Sequence, residues 1–249
     1  MFAAKNHFIF RYFTKGELTL WGISIAFIAL SFFIFDRTNF LTLAASLIGV
    51  TSLIFNAKGN PFGQFLMVLF SILYGIISYN YAYYGEMITY LGMTAPMAVF
   101  ALISWLKNPY HGNTAEVKVN RLCRQEIIFM SILTIFITFV FYFILDAFHT
   151  ANLLFSTLSV TTSFAAVYLT ARRSAFFALA YAANDILLII LWSLAAASDL
   201  SYISVTICFF LFLANDIYGF YNWLRIQKRQ QTADNTDKAH CYESKLTIK

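Results

Sequence analysis

Ile127–Leu145 reads IIFMSILTIFITFVFYFIL, an unbroken apolar run without a single charge. About 20 such residues, wound as a helix, cross roughly 30 Å of bilayer hydrocarbon. The run lies at the middle of the chain, and similar runs lie on both sides of it. Before it come Leu18–Phe35, Phe40–Ala57, Phe62–Tyr79 and Met87–Trp105; after it come Ala151–Thr170, Ala175–Ala197 and Tyr202–Leu224. The runs are continuous rather than alternating, so helices are expected and not barrel strands. The expected fold is an all-α integral membrane protein with about eight transmembrane helices. Two parallel three-helix repeats, joined by the Ile127–Leu145 linking helix, form a 3+1+3 layout with an extra N-terminal helix. An odd linking span lets the second triplet enter the membrane in the same sense as the first. The expected units are residues 1–36 (basic N-terminus and additional helix), 37–106 (first repeat), 107–150 (cytoplasmic loop and linking helix), 151–225 (second repeat) and 226–249 (a polar, disordered cytoplasmic tail).

Composition agrees. Of 249 residues, 60% are hydrophobic, 19% aromatic and only 12% charged, far fewer charges than soluble domains carry. The formal charge of +5 reflects loop lysines and arginines rather than a nucleic-acid partner. With the N-terminus placed in the cytoplasm, Arg37 alone of the 17 Lys and Arg residues falls in an outer loop. That distribution predicts cytoplasmic N- and C-termini. No small-residue cleavage site follows the first apolar run, so that span is expected to stay in the mature protein. Cys123, Cys208 and Cys241 are too far apart for a CxxC unit, and His7, His111, His149 and His240 fall in loops or termini. No metal, cofactor or catalytic site is expected. HExxH, GxSxG and GxxxxGK[ST] are absent, which speaks against an intramembrane enzyme and an ATP-driven pump.

The polar residues inside the spans carry the functional reading. A central aspartate costs about 2.5–3.5 kcal/mol to insert, so Asp185 and Asp216 require a reason. Tyr181, Asp185 and Trp192 share one helix face with Asn184 at its edge; Asn215, Tyr218 and Asn222 share a face of the last helix, with Asp216 on the adjacent stripe. The third span offers Gln64, Ser71 and Ser78 at seven-residue intervals, with Tyr74 nearby. Ser71, Tyr74, Tyr181, Asn184, Asp185, Trp192, Asn215, Asp216, Tyr218 and Asn222 are therefore the candidate substrate-binding residues, able to hydrogen-bond a ribose and stack an aromatic base. For Gln64, Ser71, Ser78 and Asn222 the competing reading is plain interhelical hydrogen bonding. Trp105 and Trp223, each near a basic residue, read as interfacial anchors, and Tyr81, Tyr83 and Tyr84 as an outer aromatic belt. Pro96 reads as a hinge or a tolerated bend.

The two triplets end alike, in SWLK (Ser104–Lys107) and NWLR (Asn222–Arg225). With YGEMITYLGMTAPM (Tyr84–Met97) and ANDIYGFYNWLR (Ala214–Arg225), the 3+1+3 layout resembles the PnuC family over roughly Phe40 to Gln227. These are bacterial transporters of nicotinamide riboside, related in fold to the SWEET sugar transporters. The resemblance implies a homotrimer in the bacterial cytoplasmic membrane that passes a small-molecule substrate by facilitated diffusion, with phosphorylation inside the cell trapping it. Two positions depart from the family's pattern. Asn184 is preceded by Ala180 where members often carry Trp, and Ala98 follows Pro96–Met97 where many carry Gln. Another nucleoside such as a deoxynucleoside, or a small vitamin, is the alternative substrate; a sugar carrier, a proton-coupled carrier using Asp185, or a sensor are the alternative functions.

Overall fold

The computed structural model describes residues 12–80, 84–150 and 152–247, with side chains as far as residue 236. Tyr81 and Tyr83 of the expected aromatic belt lie outside the described residues, as do Lys5, His7, Arg11 and Lys249 and the side chains of Lys238, His240, Cys241 and Lys245. Tyr84 is described; its ring sits against Tyr79 and Phe148.

Eight helices among the described residues are long and apolar enough to cross a membrane. They are α1 (Lys15–Ser31, continued by a π turn over Phe32–Asp36), α2 (Phe40–Ala57), α3 (Pro61–Asn80) and α4 (Tyr84–Leu106). After α4, a small antiparallel hairpin of β1 (Pro109–Tyr110) and β2 (Asn113–Val117) occupies the stretch expected to be a loop. Then come α5 (Arg124–Ala147), α6 (Leu153–Ala171), α7 (Phe177–Ala196) and α8 (Ile203–Thr247). Helices α2, α3, α4, α6, α7 and α8 pack in that order into a closed ring. The linking helix α5 lies outside it against α6; Leu133, Ile137 and Phe141 pack inward, while Phe129, Ile132, Ile135, Phe136 and Phe139 are left exposed to lipid. Helix α1 lies outside against α2 and α8.

One end of the ring is tied twice over. Helix α2 ends at Gly59, whose φ of +68° is the left-handed conformation that glycine adopts freely; α6 ends at Arg173 with φ +57°. The exposed last carbonyls of both helices need donors in an apolar setting. Trp105 Nε1 at the end of α4 donates to the Thr170 carbonyl (2.9 Å) and Ser104 Oγ to that of Ala171 (2.7 Å). Reciprocally, Trp223 Nε1 on α8 donates to the Asn56 carbonyl (2.7 Å) and Asn222 Nδ2 to that of Ala57 (2.8 Å). The end of β2 and the extended segment after it complete the pattern. Val117 N donates to Gly59 O and Asn120 N to Arg173 O, both at 2.9 Å.

Two expectations are corrected here. Trp105 and Trp223 are not interfacial anchors: both are fully buried, with ring centroids 5.3 Å apart. The indole N–H of each is consumed by a helix-end carbonyl, which an adjacent Lys or Arg in the sequence does not reveal. The tail after Arg225 is not disordered; α8 continues without a break to Thr247. Its first added turns have a docking surface, because Gln230 accepts from Val119 N (2.9 Å) and donates to Val117 O (3.0 Å). The hairpin thus replaces the apolar packing that polar residues 226–236 lack.

Candidate functional site

Inside the ring, halfway along the helices, the side chains of Leu53, Met67, Phe70, Tyr90, Thr94, Ser163, Tyr181, Asn184, Asp185, Phe209, Phe212 and Asp216 enclose a cavity. The free space is about 30 Å³, enough for roughly one water and far below the roughly 300–1,000 Å³ of ligand-filled pockets. The ring is therefore closed around its centre. A second small void continues from it past Phe70 and Phe209 to Tyr74, Cys208, Ser46 and Thr42.

Each wall has a local cause. On α7, Asn184 points at α6, where Ser159, Thr162 and Ser163 hydroxyls all donate to its Oδ1 at 3.0–3.1 Å. With that oxygen occupied, the amide nitrogen is what Asn184 has left to offer the cavity. One residue on, the Asp185 carboxyl meets that of Asp216 on α8 within hydrogen-bonding reach. Two carboxyl groups can bond only through a proton held between them, and Asp185 Oδ2 has no protein donor. Tyr90 and Thr94 arrive on a π turn in α4, Thr89–Thr94, immediately before Pro96. Pro96 lacks an N–H, and the widened turn absorbs the irregularity while aiming both side chains inward. The aromatic wall is continuous: Phe70 lies 5.5 Å from Phe212 and Tyr74, Tyr74 4.3 Å from Tyr90, and Phe209 5.6 Å from Phe212. Gly49 lets Phe212 approach bare backbone, since a Cβ there would sit 2.4 Å from its ring.

Of the ten candidates, the structure brings Tyr181, Asn184, Asp185 and Asp216 to the cavity and Tyr74 to its outer arm. Trp192 is buried behind Tyr74, edge-on at 6.2 Å. Ser71 spends its hydroxyl on the Met67 carbonyl of its own helix (2.8 Å). The Asn215–Tyr218–Asn222 face exists but turns away from the cavity. Asn215 donates to Ser24 on α1 (3.0 Å), Tyr218 to Glu17 on α1 (2.8 Å), and Asn222 to the end of α2. A polar stripe announces that a helix has a polar neighbour, not which neighbour; here α1 and the end of α2 claim it. Gln64, too, is structural, donating to Asn56 Oδ1 (2.8 Å). Phe70, Tyr90, Thr94, Ser163, Phe209 and Phe212 had no signal distinguishing them from ordinary core residues.

A ring of membrane-length helices closed on a buried cavity with an amide and two carboxyls defines a multi-pass membrane protein built around a small polar solute. The chain belongs to the nicotinamide mononucleotide transporter family, which matches residues 39–225; the family consists of transporters, not enzymes. A nicotinamide riboside transporter PnuC from Neisseria mucosa is 27% identical over 216 residues, 84% of this chain and 81% of that one. The crystal structure of the vitamin B3 transporter PnuC superposes with a TM-score of 0.75 at 23% identity, covering 88% of this chain and 94% of that one. The eight-helix membrane fold is thereby shared.

Proposed function

We propose that this protein carries nicotinamide riboside across the bacterial cytoplasmic membrane by facilitated diffusion, with N- and C-termini inside, and that phosphorylation in the cell traps the product. The family is named for the mononucleotide and the relative for the riboside. The observation that decides between them is the charge of the cavity lining: two carboxyls and no Lys, Arg or His among the described lining residues. A phosphate monoester would meet bare acids there, whereas a riboside brings hydroxyls for carboxyls and the Asn184 amide, and a flat ring for the aromatic wall. The reciprocal ties of Trp105 and Trp223 support α2–α4 and α6–α8 as two parallel repeats that rock against each other to open the closed cavity. A homotrimer is part of the same reading, by family likeness.

Uptake of labelled nicotinamide riboside into liposomes containing the purified protein, with no imposed gradient, tests this. Saturable uptake blocked by cold riboside but not by the mononucleotide is expected. Uptake inhibited by thymidine alone would move the substrate to deoxynucleosides, and uptake seen only when a proton gradient is imposed would replace facilitated diffusion with coupling.

A further inference from the structure

Neither acid at the cavity has a Lys, Arg or His beside it among the described lining residues. Asp185 is 4% exposed, and one of its carboxylate oxygens has no protein donor. Asp216, 5% exposed, meets Asp185. The contrast with Glu17 is direct: equally buried, it is held by Lys58 (3.1 Å), by Tyr218 and by the Thr14 backbone N–H, its neighbour in a capping box. The fold can supply a cation to a buried acid, and at the cavity it does not.

We propose that Asp185 and Asp216, framed by the rings of Phe70, Tyr90, Phe209 and Phe212, form a charge-reading subsite that selects a flat heteroaromatic ring bearing a fixed positive charge over its neutral counterpart. The inference rests on the transport reading above and names what that site reads. A carboxyl pair that gives up one of its protons as a cation enters and keeps the other between its members carries one net negative charge, the complement of a single fixed positive charge. In a closed, low-dielectric cavity such a pairing is worth far more than at a surface. The aromatic rings add to it, because their negative faces attract a flat cation. Asn184, with its oxygen already saturated, orients the solute's polar edge rather than its charge. Neutral nucleosides satisfy the hydrogen bonds but bring no charge to stabilise an ionised pair, which is where discrimination arises.

The test uses the full-length protein in detergent and measures binding of four probes: nicotinamide riboside, its neutral 1,4-dihydro form of the same skeleton, thiamine as a second ring with fixed positive charge, and thymidine as a neutral nucleoside. The wild type is expected to bind the cationic riboside about tenfold or more tightly than the dihydro form. Asp216→Asn, of the same shape, is expected to bring the two within about threefold by weakening the cation alone. Asp216→Glu, which keeps the charge, should keep a preference and so reports that the protein remains folded. Equal affinities in the wild type, or an unchanged ratio in both Asp216→Asn and Asp185→Asn, would overturn the proposal while leaving riboside transport standing. If riboside does not bind but thiamine outcompetes thymidine, the transport reading fails and the charge site stands. A preference for thymidine, or no binding of any probe, overturns the charge site.

Discussion

Helices α2–α4 and α6–α8 answer each other at the tied end. Each first helix closes in a left-handed residue, Gly59 or Arg173, and each receives a tryptophan from the other half's third helix. At the level of the cavity they part company. Asn184, Asp185 and Asp216 all come from the second half, whereas the aromatic wall is shared, Phe70 and Tyr90 coming from the first half and Phe209 and Phe212 from the second. The difference separates what a membrane fold must do from what it is free to choose. Helix-end carbonyls in hydrocarbon need donors in either half, so that solution is kept twice. The centre needs its amide and carboxyls on one side only, so those three groups are confined to one half while both halves supply rings.

The largest effect should follow from striking the polar wall. Asn184→Leu is expected to abolish riboside uptake with protein still present in the membrane, whereas Ser71→Ala should leave uptake within about twofold, its hydroxyl being committed to its own helix. Abundant Asn184→Leu protein with unchanged uptake would return Asn184 to a structural role and erase the asymmetry. At the tied end the prediction is symmetry instead. Trp105→Ala and Trp223→Ala should each destabilise the detergent-solubilised protein by about 3–5 kcal/mol in thermal or denaturant unfolding. Because the rings touch, the double variant should cost less than the two added together. A silent member of the pair would break the equivalence. The smallest effect belongs to the hairpin: Gln230→Ala should cost about 1–3 kcal/mol by stranding the Val119 and Val117 backbone groups, with riboside uptake retained.

The eight helices were legible because crossing hydrocarbon demands long apolar runs, and such runs have one reading. The run at Ile127–Leu145 marked a helix that faces lipid rather than the ring. Asp185 and Asp216 were legible for a related reason, since a carboxyl in a span is too costly to be idle. The misreadings share another cause. Asn215, Tyr218 and Asn222 are as polar and as well spaced as a true lining stripe, and only the position of α1 reveals that they face Ser24, Glu17 and the end of α2. The aromatic wall was invisible because Phe70, Phe209 and Phe212 differ from core phenylalanines only in what they surround. The helical tail escaped notice because its support, the 109–117 hairpin, lies about a hundred residues away in sequence.

A structure determined with nicotinamide riboside bound tests the central claim most directly. The ring of six helices is predicted to widen where it is now closed, with the pyridinium between Phe70, Phe209 and Phe212 and beside the Asp185–Asp216 pair, and the riboside within hydrogen-bonding distance of Asn184. Riboside seated elsewhere, with this cavity still shut, would contradict it.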